Sequence, residues 1–159
     1  MDIEVIVESV IVDPVSKMPV VIVKEKAGKR VLPIWIGFAE ANGIVLALEG
    51  IKVPRPQTYD LFVNILKSLN YNITKIVITA LKDNTYYAKI ILRNIENDNE
   101  IEVDSRPSDA LALALRFNTI IFADISLLKE MNDPMIENVD DLKRWLEDLN
   151  PEQLGKYKM

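Results

Sequence analysis

The chain has 159 residues, no cysteine and no histidine, 49% apolar and 27% charged side chains, and a formal net charge of −5. This is the profile of one soluble globular domain, long enough to bury a core. It excludes disulfide frameworks, thiolate or imidazole metal sites, Ser-His-Asp or Cys-His nucleophile activation, and the coating of nucleic acid by bulk positive charge.

Residues 3–12, IEVIVESVIV, alternate and are β-branched, which predicts a strand rather than a signal peptide. Asp13-Pro14 and Lys17-Met18-Pro19 predict a turn, and VVIVK (20–24) a second strand. Lys24, Lys26, Lys29 and Arg30 surround Ala27-Gly28 as a basic hairpin tip, which is either a solvated turn or a phosphate contact. RVLPIWI (30–36) predicts a third strand, with Pro33 requiring an edge or a bulge. Residues 37–49 have helical spacing, are apolar on nearly every side and stop at Gly50, so that helix should sit inside the protein or against another subunit. After the loop IKVPRPQTYD, a helix over 58–69 places Leu61, Phe62, Ile65, Leu66 and Leu69 on one face.

Residues 73–81 and 85–95 alternate around a tight Lys82-Asp83-Asn84 connection, ENDNE turns the chain, and 101–104 forms a short strand. An apolar helix over 109–117 and a strand over 119–124 follow. Residues 125–137 read as irregular. The helix 139–149 carries Leu142, Trp145, Leu146 and Leu149 on one stripe, and Pro151 ends it before a mobile tail. Runs of hairpins without strict βαβ alternation predict an α+β fold: a mixed, largely antiparallel sheet with two buried helices and a C-terminal surface helix. The expected organisation is a domain over 1–132 followed by a helix and tail over 133–159. No run approaches the roughly 18 apolar residues of a membrane span, and the expected location is the cytoplasm.

Two stretches share a pattern, PRPQTYD (54–60) and SRPSD (105–109): Arg-Pro before a hydroxyl residue and an Asp, at a helix start. Capping by Thr58 with Asp60, or by Ser108 with Asp109, explains most of each. It does not explain Arg55 and Arg106, because a cation is disfavoured at the positive end of a helix dipole. They serve either a structural ion pair or an anion such as phosphate. With no imidazole available, catalysis falls to Asp, Glu, Lys, Tyr, Ser or Thr, or to an oxygen-ligated ion such as Mg²⁺ or Mn²⁺. The acidic candidates for such an ion are Glu40, Asp60, Asp83, Asp104 and Asp109, with Asp83 also a natural turn residue. Tyr71, Tyr86 and Tyr87 offer aromatic surface for bases, although alternation buries one of Tyr86 and Tyr87. There is no G-x-G-x-x-G and no Walker loop.

The stretches RVLPIWIGFAEANGIVLALEG, PRPQTYDL, LKDNTYYAKIIL and VDSRPSDALALALR closely resemble the bifunctional nuclease domain family of bacteria and plants. The resemblance runs from about residue 5 to 130, and LEDLNPEQLGKYKM also resembles endings in that family. It implies an oligomeric α+β hydrolase that cleaves phosphodiester bonds of RNA, DNA or both with divalent metal assistance. On that implication Asp104, Asp109 and Glu40 hold Mg²⁺ or Mn²⁺. Asp60 joins the catalytic set, and Arg55 and Arg106, with Ser108 and Thr58, bind the nucleic acid. One position departs from the family pattern: Tyr59 stands where many members carry His, so no general base is expected there. The competing expectation is a non-catalytic oligomeric binding or regulatory module. In it the Arg-Pro elements are structural, and the helices 37–49 and 109–117 bury at subunit interfaces.

Overall fold

The computed structural model describes residues 1–130 and 139–147. Eight strands form one sheet in the order β6-β5-β4-β7-β1-β2-β3-β8. Their ranges are β1 Asp2–Val12, β2 Pro19–Glu25, β3 Arg30–Trp35, β4 Tyr71–Lys82, β5 Thr85–Asn94, β6 Glu100–Ser105, β7 Ile120–Asp124 and β8 Lys129–Glu130. Every neighbouring pair is antiparallel except β4–β7, so the sheet is mixed and largely antiparallel, as expected. Helices α1 (Phe38–Leu48), α2 (Thr58–Ser68), α3 (Pro107–Phe117) and α4 (Val139–Glu147) complete the α+β fold.

The strands form where apolar residues alternate. In β5, Tyr86, Ala88, Ile90 and Leu92 enter the core beneath the helices, while Tyr87, Lys89 and Arg93 are exposed. Asp83 and Asn84 connect β4 to β5 with φ of 49° and 62°, the left-handed pair that matches hairpin twist. The β4–β5 register slips at Thr74 and Thr79, and each threonine hydroxyl donates to a carbonyl of β5, Ile91 or Tyr87. Pro33 is tolerated because β3 is nearly an edge: its outer neighbour β8 pairs only with Arg30 and Val31. The basic tip is held by ion pairs, Lys26 to Glu4 at 2.6 Å and Arg30 to Glu25 at 2.7 Å.

A single large core lies between the sheet and α1–α3. A smaller one on the other face gathers Ile11, Val20, Ile22, Val31 and Trp35 with Leu146 of α4. The helix α3 buries Pro107, Ser108 and the run Ala110–Ala114 within its own chain, so it is not held back for a subunit interface. The α2 expectation also needs correcting. Val63 is its buried residue, with Tyr59 and Leu66 packed against the core, while Leu61, Phe62, Ile65 and Leu69 face outward at 46–60% exposure. The sequence spacing identified an apolar face of α2, but the sheet takes the neighbouring one. Residues 125–137 are not wholly irregular: Ile125–Leu127 form a 3-10 turn and Lys129–Glu130 the short β8. The expected boundary at 132, Leu149 and the tail lie outside the described residues.

The loop from β1 to β2 is tied to the smaller core by Asp13, which is fully buried. Its carboxylate accepts hydrogen bonds from Trp35 Nε1, the Ser16 hydroxyl and the Val15 amide, each at 2.9 Å. A carboxylate taken out of water survives only with such donors, and removing it strands them in turn. Asp13→Ala should therefore lower unfolding stability by about 2–4 kcal/mol, measured by urea denaturation followed through tryptophan fluorescence.

Candidate functional site

At one end of the core, α1, the starts of α2 and α3 and the edge strand β6 enclose an open cleft of about 690 Å³. Arg106, the N-cap of α3, lies in it with extended backbone (φ −69°, ψ 144°). Its guanidinium forks onto Asp109, Nε to Oδ2 at 2.7 Å and Nη2 to Oδ1 at 3.0 Å, and its Nη1 donates to Glu40 Oε1 of α1 at 3.1 Å. Two carboxylates thus offset the unfavourable placement of a cation at a helix start. The bond to Asp109 also holds the Arg106 proton more firmly than in a free side chain.

Tyr59, in the first turn of α2, donates its hydroxyl to Asp109 Oδ1 at 2.8 Å. Burial, and then the Asp109 hydrogen bond, push the phenol well above its usual range, so Tyr59 is a proton-bearing donor at neutral pH and not a base. Its ring lies against Gly43 of α1 so closely that a Cβ there would collide with it. On its other side the guanidinium of Arg116 sits 5.2 Å from the ring centroid. Arg116 in turn donates to the carbonyls of Gly43 and Ala112, both at 2.9 Å, and to Asp60 Oδ1 at 3.0 Å.

These contacts sort the expected residues. Glu40, Arg106, Asp109 and Thr58 belong to the cleft. Asp60 does not: it is committed to Arg116 and to the Gln57 amide (3.0 Å) and borders a separate hollow of about 620 Å³. Asp104 borders the cleft as part of β6, but the strand register sets it beside Lys89, on the face away from the helices. Arg55 lines neither hollow and has no ion-pair partner among the described residues, so the two Arg-Pro elements do not converge on one pocket. Nor are Thr58 and Ser108 the caps: Gln57 and Arg106 hold those positions, and Ser108 is buried inside α3. Asp83 stays in its hairpin. Among the described residues no three carboxylates gather as a metal site. The sequence reading missed Arg116 and Tyr59 as structural partners of the site. The available signal was Arg116 itself, a cation ending an otherwise apolar helix.

Comparison with known proteins bears on what such a cleft does. The sequence profile described as "Bifunctional nuclease domain" matches residues 21–135. An uncharacterized protein of Mycobacterium tuberculosis (strain H37Rv) is 36% identical over 127 residues, covering 80% of this chain and 74% of that protein. Bifunctional nuclease 1 of Oryza sativa subsp. indica and the bifunctional nuclease of Oryza minuta are each 30% identical over 98 residues. Those matches cover 61% of this chain and only 30% of each plant protein.

The Gln57 amide, and then Arg116, hold the Asp60 carboxyl below its usual value of 3.8. A group whose folded value is depressed contributes stability above its unfolded value and loses it as pH falls through the folded one. Asp60→Asn should thus cost about 1 kcal/mol at pH 7. Its difference from wild type should shrink below pH 4 and vanish in stronger acid, as read from unfolding curves across pH.

Proposed function

The chain belongs to the bifunctional nuclease domain family, and from that premise we propose that the Glu40–Arg106–Asp109 cleft binds a phosphodiester of RNA or DNA and hydrolyses it. The observation that carries the reading is one guanidinium set between two carboxylates at the mouth of a nucleotide-sized hollow. Phosphate oxygens match the planar fork of Arg106 as well as a carboxylate does, so an incoming phosphate competes for it. Arg106 then stabilises the charge that grows on phosphorus oxygens in the transition state. The carboxylates it releases become available to orient and deprotonate an attacking water. Tyr59 keeps Asp109 in place during the exchange, and the Thr58 hydroxyl offers a further hydrogen bond at the rim.

The donor chemistry also fits a hard divalent ion, with Arg106 as the stand-in cation between Glu40 and Asp109. Two carboxylates suffice for Mg²⁺ or Mn²⁺ when water and phosphate oxygens complete the shell. Such an ion would supply Lewis-acid charge and a more acidic water. Asp104 and Asp60, turned elsewhere, stay outside this set. With Mg²⁺ or Mn²⁺ the protein should cleave RNA or DNA, and Asp109→Asn should lower kcat by roughly 10²-fold or more while remaining folded. Arg106→Ala should show a larger Mn²⁺-dependent rise in Tm than wild type, because the ion no longer competes with a guanidinium. Absence of cleavage, or full activity in Asp109→Asn, overturns the reading.

The alternative, a non-catalytic oligomeric module, draws support from one surface. Leu61, Ile65 and Leu69 follow each other along the outer stripe of α2, all exposed. An apolar stripe of this kind favours assembly with a second copy of the chain, and assembly is compatible with either function. Ile65→Glu should then lower the mass measured by light scattering, whereas a monomeric wild type excludes assembly through this stripe.

A further inference from the structure

The cleft has two unlike halves. One is the charged group of Glu40, Arg106, Asp109 and Tyr59; the other is an apolar wall of Phe62, Ile90, Val103 and Leu113. Phe62 is the most exposed of these four. Val63, Tyr59 and Leu66 bury α2, yet Phe62 lines the cleft with 51% of its surface open. A flat aromatic ring left open beside a phosphate-sized cation is what a nucleobase stacks on.

The electrostatics discriminate between forms of nucleic acid. Among the described residues Arg106 is the sole cation in the cleft lining, and two carboxylates already share it. The bordering strand β6 adds no cation, its Glu100 and Glu102 pairing with Arg93 and Lys89 of β5, and the chain as a whole is at −5. Proteins that hold duplexes neutralise many phosphates at once, and affinity here cannot come from that source. A duplex also keeps its base faces stacked inside, and extruding one costs a few kcal/mol. An unpaired nucleotide presents both parts freely, and about 690 Å³ lies within the roughly 300–1,000 Å³ of sites that enclose a single small ligand.

Resting on the reading of this cleft as the nuclease site, we infer that it takes its substrate as an unpaired nucleotide. The base lies against Phe62, the phosphate on Arg106, and a duplex is rejected.

The test uses the full chain in EDTA with three fluorescein-labelled oligonucleotides: a single strand, the same sequence in a duplex, and a backbone of abasic units. Fluorescence anisotropy should show the single strand bound at least tenfold more tightly than either of the others, about one stacked base's worth. Phe62→Ala should lose about that factor and Phe62→Tyr retain it, with both melting near wild type. Equal or tighter binding of the duplex overturns the inference and leaves the nuclease reading standing, as does an abasic strand bound as well as the natural one. Failure to bind any of the three also overturns the inference, whereas the nuclease reading falls only on the cleavage assay with Mg²⁺ or Mn²⁺.

Discussion

The guanidinium of Arg116 is the tie on which the site depends. Only 10% of its side chain is exposed, and a charge in that position must be met on every side. It is met by one group from each of α1–α3: the Gly43 carbonyl of α1, the Asp60 carboxylate of α2 and the Ala112 carbonyl of its own turn in α3. Three helices that pack on a sheet through small and branched apolar residues could slide or rotate with little penalty. A forked cation with directional donors removes that freedom. Tyr59 then has one place to go, between Arg116 and the bare backbone at Gly43, and from there its hydroxyl meets Asp109. Asp109 fixes Arg106, and Arg106 reaches Glu40. The charged half of the cleft is thus the far end of a chain of contacts that begins in the interior.

This arrangement explains why two similar sequence elements end so differently. At SRPSD the arginine occupies the N-cap position of its helix and turns onto the Asp three residues later. At PRPQTYD the Asp is claimed by Arg116 and by the Gln57 amide, and Arg55 is left at the surface. Local sequence is nearly the same; the neighbour that arrives from elsewhere in the chain is not. What separates them is a cation 56 residues from Asp60.

The same distinction governs what was legible beforehand. Strands, hairpins and helix spans follow from alternation, turn residues and spacing, which are local, and the limits of β1–β7 and α1–α3 agree with the structure to within a residue or two. Arg106 stood out because it violated a local rule. Its partnership with Glu40, 66 residues away, and that of Tyr59 with Asp109, 50 away, leave no trace in spacing. Asp104 shows a related limit: a short strand announces that its residues alternate, but its register against Lys89 decides which face each takes. The outward face of α2 reflects the same limit, since an apolar stripe says that something will cover it and not what.

The single parallel pairing in the sheet has a kinetic meaning. β1–β3 and β4–β6 are each antiparallel meanders made of near neighbours in sequence, and β7 alone lies between β1 and β4. During synthesis both meanders can form from local contacts as they emerge, each with an open edge. The strand that joins them comes after α3, near the end of the described chain, so the sheet stays in two halves until about residue 124 has been made. Over that interval β1 and β4 expose unpaired backbone of the kind that recruits other chains. A ribosome-bound or prematurely ended chain therefore carries its greatest aggregation hazard in the middle of what becomes the finished sheet.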